Sequence, residues 1–133
     1  MPLGHIGIFV DNLHRAKSYY DQLMPFLEYE PFLSAAEEFS YKPANDKRGA
    51  FIFFYSSAGL SPYSDRAGGL QHLAFMIPTR SRVRTVFARA VELGSEPVHG
   101  PREFPEYPPP YYAAFWRDPF GVMLEAVCHH AFE

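Results

Sequence analysis

The sequence predicts an α+β fold in which one strand–helix–strands unit occurs twice. Two stretches, "GHIGIFVDN" at residues 4–12 and "QHLAFMIPT" at residues 71–79, each open a unit with the same order of features. In both, a histidine leads a short apolar run, and a segment with helical spacing follows. His5 and His72 are the matched histidines, 67 residues apart. A repeat of this kind predicts a pseudo-twofold arrangement in which matched residues meet near one axis.

The ends of the two units also correspond. At an offset of 72 residues, the apolar strand "AFIFFY" at 50–55 falls on "VMLEAV" at 122–127. This alignment puts Phe53 opposite Glu125, so the second unit has a carboxylate where the first has an aromatic ring. A longer middle segment in the second unit accounts for the difference between the two offsets.

Length and composition favour a single soluble domain. The 133 residues are 47% hydrophobic and 20% charged, which is ordinary for a globular protein. A net charge of −3 without clustered basic residues gives no surface for nucleic acid or for an anionic membrane. The single cysteine excludes an internal disulfide, and the N-terminal apolar run is too short for a signal peptide or a membrane span. We expect one cytoplasmic domain over 1–133, with module one at about 1–60 and module two at about 68–133.

The first module reads as a strand, a helix and three further strands. Residues 5–10 have the apolar, β-branched character of a strand buried on both faces. Asp11 and Asn12 supply N-cap chemistry for a helix that Pro25 ends. The following strands are predicted at 26–33, 38–43 and 50–57.

The second module begins after a Gly-, Ser- and Pro-rich linker at 57–69. Residues 70–77 read as a strand, and residues 79–94 as a helix capped by Thr79 or Ser81, with Gly94 at the C′ position. The remaining elements are a short strand at 95–99, a proline-rich loop at 100–110 containing Glu106, and two strands at 111–117 and 122–128 joined by the turn "DPFG".

Alternation along the strands sorts the polar residues onto one face. His5 shares a face with Gly7 and Phe9, and His72 shares a face with the small Ala74. The small residue after each histidine predicts open space beside both imidazoles. Glu125 lies in the middle of an apolar strand, where a carboxylate is costly unless it is paired, protonated or bound to a metal.

His5, His72 and Glu125 therefore form a candidate metal site. Two imidazoles and one carboxylate, with open positions left over, are the ligand set of non-haem Fe(II) and of other divalent ions. We expect a divalent metal cofactor, with Fe, Mn, Ni and Zn as the candidates. A strand histidine can equally be a hydrogen-bonded core residue, and that reading stays open.

An apolar, aromatic wall is predicted on the same face as these ligands, which suits a planar or hydrophobic small molecule with chelating oxygens. The hydroxyl of Tyr111 is a candidate catalytic donor beside the metal. His99 and Glu106, assigned to the region of the proline-rich loop, are candidates for acid–base chemistry. The residues proposed to bind substrate are Phe9, Phe51, Phe53, Tyr55, Met76, Phe115 and Met123.

In these features the chain resembles the vicinal oxygen chelate superfamily, which includes glyoxalase I, fosfomycin-resistance thiol transferases, bleomycin-binding proteins and extradiol dioxygenases. The resemblance lies in "GHIGIFVDNLHRAKSYYDQLM", "GLQHLAFMI" and "YYAAFWRDPFGVMLEAV". It implies two paired βαβββ modules that form an open cup-shaped mixed sheet with helices on the outside. It also implies a homodimer and metal ligands at His5, His72 and Glu125.

Several positions depart from particular members of that superfamily. Glyoxalase I normally has a fourth ligand, a glutamate, where this chain has Phe53. Extradiol dioxygenases usually have a tyrosine at the position of Phe115, and Glu106 lies near the place of their acid–base histidine. Fosfomycin enzymes have a hydroxyl residue where Gly7 stands. Bleomycin-binding relatives generally lack the metal triad.

Three hypotheses follow. The first is a metal-dependent enzyme with a glyoxalase-like or dioxygenase-like reaction on a small, oxygen-chelating substrate. The second is a binding protein that sequesters an aromatic or hydrophobic molecule without catalysis. The third is that the triad is a buried hydrogen-bonded set in which the glutamate pairs with a histidine.

Overall fold

The computed structural model describes residues 1–57, 68–131 and 133 of the chain. It forms two compact units, Met1–Tyr63 and Ser64–Glu133. Within the described residues, each unit has its own four-stranded mixed sheet and one α-helix. The element order β-α-β-β-β occurs twice, which confirms the predicted α+β class and its two modules. Within the described ranges, neither helix has the length and apolarity that crossing a bilayer requires.

The first unit contains four strands and one α-helix: β1 (His5–Val10), α1 (Leu13–Leu23), β2 (Tyr29–Ser34), β3 (Glu38–Pro43) and β4 (Phe51–Ser56). Short 3₁₀ helices, Met24–Leu27 and Ala44–Asp46, connect them. The strand order is β1-β4-β3-β2, in which β1 and β4 run parallel and the other pairs run antiparallel.

Helix α1 covers one side of the first sheet. The side chain of Asn12 caps the helix, because its Oδ1 accepts a hydrogen bond from the backbone N–H of Arg15 at 3.0 Å. Tyr20 then packs on Phe54, with ring centroids 4.4 Å apart, and Phe39 stacks on the same ring at 4.9 Å. The core of the first unit therefore lies between α1 and one face of its sheet.

The second unit repeats this plan: β5 (His72–Met76), α2 (Arg80–Glu92), β6 (Glu96–Glu103), β7 (Tyr112–Arg117) and β8 (Met123–Cys128). The strand order is β5-β8-β7-β6, with β5 and β8 parallel. Thr79 is the N-cap of α2, since its hydroxyl accepts from the backbone N–H of Arg82 at 3.2 Å. Gly94 follows the helix with φ of +96°, the left-handed conformation predicted for the C′ residue.

The core of the second unit lies under α2. Val83, Val86 and Ala90 on the helix are buried, and Trp116 on β7 is fully buried beneath it. Leu124 on β8 is buried in the same layer. Each sheet thus has a covered face under its helix and a helix-free face on the opposite side.

The strand registers show the internal repeat directly. In the first unit His5 pairs with Phe51 and Gly7 pairs with Phe53. In the second unit His72 pairs with Met123 and Ala74 pairs with Glu125. The two offsets predicted from the sequence therefore describe the same pairing in both units, with Phe53 and Glu125 at matched positions.

Several sequence predictions about the strands need correction or fall outside the described residues. The strand predicted at 26–33 begins only at Tyr29, because Met24–Leu27 forms a 3₁₀ helix. Strand β1 is not buried on both faces, because His5, Gly7 and Phe9 are exposed on its helix-free side. Strand β6 extends to Glu103, beyond the predicted end at residue 99; its prolines are tolerated because β6 is an edge strand with two register shifts. The predicted linker at 57–69 lies mostly outside the described residues.

The "DPFG" turn sets the register between β7 and β8. Asp118 is buried, and its Oδ1 accepts hydrogen bonds from the backbone N–H groups of Phe120 and Val122 at 2.8 and 2.9 Å. Gly121 adopts φ of +91°, which an L side chain rarely adopts. The resulting hairpin pairs Phe115 with Glu125 and so fixes where the carboxylate emerges.

Candidate functional site

The second unit contains a buried carboxylate on the helix-free face of its sheet. Glu125 lies in the middle of β8, between Ala74 on β5 and Phe115 on β7, and is 1% exposed. A carboxylate at this depth destabilises the fold unless both oxygens have polar partners. The neighbours of its two oxygens therefore decide what the site can do.

Both oxygens of Glu125 have a partner. Oε2 accepts a hydrogen bond from the Tyr111 hydroxyl at 2.7 Å, and Oε1 lies 3.1 Å from Nε2 of His72. Burial, and then the hydrogen bond to Glu125, raise the pKa of the Tyr111 phenol above its ordinary value. The phenol therefore keeps its proton at neutral pH and acts as a donor to the carboxylate.

The ring of His72 has an oxygen atom at each of its nitrogens. Nδ1 is hydrogen-bonded to the side-chain oxygen Oε1 of Gln71, and Nε2 faces the carboxylate of Glu125. A neutral imidazole has only one N–H, so it cannot donate to both oxygens. With Nδ1–H turned to Gln71, the contact between Nε2 and Oε1 needs either an additional proton or a cation.

This donor pair has the chemistry that a divalent metal requires. Imidazole nitrogen and carboxylate oxygen are ligands for Fe, Mn, Ni and Zn. Two donors that are each about 2.1 Å from one ion lie about 3 Å apart when they meet it at a right angle. The 3.1 Å separation fits that arrangement, and it also fits a hydrogen bond from a protonated imidazole. The side chain of His72 is 36% exposed, so an ion can reach the pair from solvent.

An aromatic layer packs beside this pair. Phe104, just past the end of β6, is buried against Ala113, Phe115 and Val127 on the helix-free face. The ring of Phe115 lies between those of His72 and His99, with centroid distances of 6.0 and 5.6 Å. Met123 packs against the same apolar cluster. Two predicted wall residues, Phe115 and Met123, are thus next to the candidate site.

The segment between β6 and β7 holds Tyr111 in place. Its ring packs on Tyr107, at 4.8 Å between centroids, and on Phe104 at 6.0 Å. The exposed His129 contacts it from the other side at 5.1 Å. His99 lies on β6 rather than in the following loop, whereas Glu106 is in that loop and exposed.

His5 belongs to the first unit, where it borders a row of aromatic rings. Its ring meets Phe53 edge-on, with centroids 5.4 Å apart, and Phe53 stacks on Tyr55 at 6.1 Å. Phe9 contacts Tyr55 at 6.4 Å. Phe32, which the sequence did not single out, packs on Phe51 and Phe53 at 5.0 and 6.4 Å. The four predicted wall residues of the first unit thus form one contiguous surface.

The space beside the first histidine is not open as predicted. A Cβ added at Gly7 would lie 3.1 Å from Cε2 of Tyr55, so the Tyr55 ring occupies that space. Ala74 in the second unit has the matched position and is exposed. Gly7 therefore permits close approach of an aromatic ring rather than leaving room for a ligand.

The structure brings together only part of the predicted set within one unit. His72, Glu125 and Tyr111 form a connected cluster, while His5 is described within its own unit. No group of three or more His, Cys, Asp or Glu side chains that could hold a metal occurs among residues 1–57, 68–131 and 133. Met76 is 80% exposed on β5.

Comparison with known proteins identifies the family of this chain. The sequence matches the model of the Glyoxalase/Bleomycin resistance protein/Dioxygenase superfamily over residues 3–126. The chain belongs to this superfamily. The prediction of vicinal oxygen chelate character is thereby confirmed. The search of curated proteins found no match.

Solved structures of superfamily members share the fold. A candidate glyoxalase from Bacillus halodurans is 26% identical, with a TM-score of 0.78, over 95% of this chain and 94% of that one. A fosfomycin resistance protein from Listeria monocytogenes is 19% identical, with a TM-score of 0.71, over 98% and 95%. A glyoxalase/bleomycin resistance protein/dioxygenase domain from Frankia is 16% identical, with a TM-score of 0.78, over 100% and 95%.

Sequence reasoning missed three residues around this superfamily member's candidate site. Phe104 and Tyr107 lie in the proline-rich segment, which gives no strand pattern from which to infer packing. Gln71 directly precedes β5, and strand alternation does not predict a contact between neighbouring side chains. Its adjacency to a candidate ligand histidine was the only available signal.

We predict that replacing Tyr111 by phenylalanine destabilises the fold by about 1–3 kcal/mol, because Oε2 of the buried Glu125 loses its hydrogen-bond donor. The measurement is urea denaturation of the full chain. Tyr107→Phe is the matched control, because it removes a hydroxyl from the neighbouring, exposed ring, and it should change stability by less than about 0.5 kcal/mol. Equal effects of the two substitutions would contradict the assignment.

Proposed function

We propose that the protein is a divalent-metal-dependent enzyme that acts on a small, hydrophobic or aromatic substrate with chelating oxygens. The observation that carries this proposal is the contact between Nε2 of His72 and Oε1 of the buried Glu125. Two potential ligand atoms face each other, while the outer atoms Nδ1 and Oε2 are occupied by Gln71 and Tyr111. This leaves the inner atoms free to share one cation.

In this proposal His72 and Glu125 are two protein ligands and His5 is the third. Phe53, which matches Glu125 in the repeat, has no donor atom, so the site has three protein ligands and open positions for substrate oxygens. A metal held by these residues would supply Lewis-acid stabilisation of negative charge on a substrate oxygen. Metal analysis would identify the ion among Fe, Mn, Ni and Zn.

The protein side chains have separate tasks around that centre. Tyr111 donates to Oε2 and so holds the carboxylate with Oε1 turned toward His72. Although Tyr111 was predicted to be catalytic, this contact makes it a positioning residue in the present proposal. Phe115 borders His72 and excludes water from that side of the pair. His99 remains a candidate for acid–base chemistry, because its ring also packs on Phe115.

The substrate class is inferred from the aromatic surface of the first unit. Phe9, Phe51, Phe53 and Tyr55 present ring faces and edges on the helix-free side of that sheet, which favours a planar apolar ligand. Among the chemistries of the superfamily, we favour a glyoxalase-like or a dioxygenase-like reaction. The absence of a fourth ligand, a glutamate, at the position of Phe53 distinguishes the site from that expected for glyoxalase I.

We predict that wild-type protein binds one divalent ion per chain and that His72→Ala lowers its affinity by at least about 100-fold, because a ligand atom is lost. Titration of metal-free protein with Mn, Fe, Ni and Zn, followed by metal analysis, measures this. His14→Ala is the matched control, since His14 is exposed on α1. If wild type holds no more metal than His72→Ala under saturating conditions, the enzyme proposal fails, and the His72–Glu125 contact is a structural hydrogen bond.

We further propose that the protein is a homodimer, because members of this superfamily often form dimers and the exposed Met76 on the second sheet suits a partner surface. His5 then comes either from the same chain as Glu125 or from the second copy. Mixing His5→Ala with Glu125→Ala protein under exchange conditions decides between these. A shared site recovers half of one metal per chain in the mixed dimer, whereas a self-contained site recovers none.

A second candidate function is sequestration of an aromatic molecule without catalysis, which the continuous ring surface of the first unit favours. The two functions differ in how ligand binding depends on metal. For the enzyme, we predict that catechol binds at least about tenfold more tightly to metal-loaded than to metal-stripped protein, because its oxygens chelate the ion. Calorimetric titration measures this, with His72→Ala as the control. Equal affinity in both forms would favour sequestration.

A cytoplasmic location is also part of the proposal. It is supported by Cys128, the only cysteine of the chain, which is buried and free. A protein with an unpaired thiol suits a reducing compartment.

A further inference from the structure

We propose that Gln71 is a positioning residue that fixes the orientation of His72 and keeps its Nε2 available for the metal. The effect of Gln71 on metal binding rests on the proposed function, whereas the contact between Gln71 and His72 is seen in the structure itself. The side-chain oxygen Oε1 of Gln71 is hydrogen-bonded to Nδ1 of His72. Because an amide oxygen can only accept, Nδ1 must be the donor and must bear a proton.

The proton on Nδ1 determines what Nε2 can do. In a neutral imidazole one nitrogen bears the proton and the other has a lone pair. With Nδ1–H bonded to Gln71, the lone pair of Nε2 points toward Oε1 of Glu125, 3.1 Å away. Two lone pairs repel each other, so the two atoms need either an additional proton or a cation between them, and in the proposed function that cation is the metal. Without Gln71, the ring can place its proton on Nε2 instead and donate it to Glu125, which competes with the metal.

Gln71 also fixes the ring in space. The His72 side chain is partly exposed, and its ring meets the ring of Phe115 edge-on. A hydrogen bond at Nδ1 removes the freedom of the ring to rotate away from Glu125. Partners that hold the outer nitrogen of a metal-bound histidine typically change metal affinity 10- to 100-fold when they are removed.

Comparison of the two repeats shows that only one of the two histidines has a preceding side chain that can accept a hydrogen bond. At the offset that matches His5 with His72, the residue matching Gln71 is Gly4, which has no side chain. Among the described residues, the His5 ring contacts Phe53 and has no hydrogen bond. The second unit therefore holds a fixed pair, His72 and Glu125, and the first contributes a histidine without a comparable anchor.

The test compares Gln71→Leu, which removes the acceptor, with Gln71→Glu, which keeps it. Gln22→Leu is the matched control, since Gln22 is an exposed glutamine on α1. We expect Zn affinity, measured by competition with a chromophoric chelator, to fall about 10- to 100-fold in Gln71→Leu. It should stay equal or become tighter in Gln71→Glu and stay unchanged in Gln22→Leu.

A second readout is independent of metal. In metal-free protein labelled with 15N-histidine, the hydrogen bond to Gln71 protects the Nδ1–H of His72 from exchange with water. Its proton signal should be visible in wild type and in Gln71→Glu, and lost in Gln71→Leu. A wild-type His72 without a proton on Nδ1, or unchanged Zn affinity in Gln71→Leu, would overturn the inference. If wild type shows the Nδ1–H signal but binds no metal, the proposed function fails while the orienting contact stands.

Discussion

Burial of the Glu125 carboxylate is the constraint on which the rest of the site depends. At 1% exposure the carboxylate cannot rely on water, so each oxygen must find its partner within the protein. The hydrogen bond from Tyr111 satisfies Oε2, and this requires the segment after β6 to fold back over the sheet. Phe104 makes that fold-back favourable by burying its ring against the second sheet. The apolar cluster and the polar pair therefore stabilise each other.

The two units use the same backbone plan for different purposes. Their parallel strand pairs have matching registers, yet the position of Glu125 is occupied by Phe53 in the first unit. With an aromatic ring in place of a second carboxylate, the first unit has a row of rings in edge-on and stacked contact, from Phe9 to Phe51. This difference between the units results from single side chains and requires no change in the fold. The second unit therefore has the buried carboxylate, and the first unit has an aromatic ring at the matched position.

Much of this could be predicted from the sequence because it rests on local rules. Asn12 and Thr79 cap their helices as their residue types predict, and Gly94 adopts the expected left-handed conformation. The repeat aligned Phe53 with Glu125 correctly, because strand pairing preserves sequence offsets within each unit. The interpretation of Gly7 was wrong, because the sequence does not show that the Tyr55 ring lies over it. The contact of Gln71 with His72 depends on side-chain rotamers just before a strand, where alternation carries no information.

We propose above all that one divalent ion lies between His72 and Glu125. Anomalous diffraction from a crystal soaked in Mn or Zn, recorded at the metal absorption edge, tests it most directly. The account predicts a peak about 2.0–2.3 Å from both Nε2 of His72 and Oε1 of Glu125, with an imidazole nitrogen of a His5 as a third ligand. A peak confined to the exposed His129 and His130, or a direct Nε2–Oε1 hydrogen bond without metal density, would contradict it.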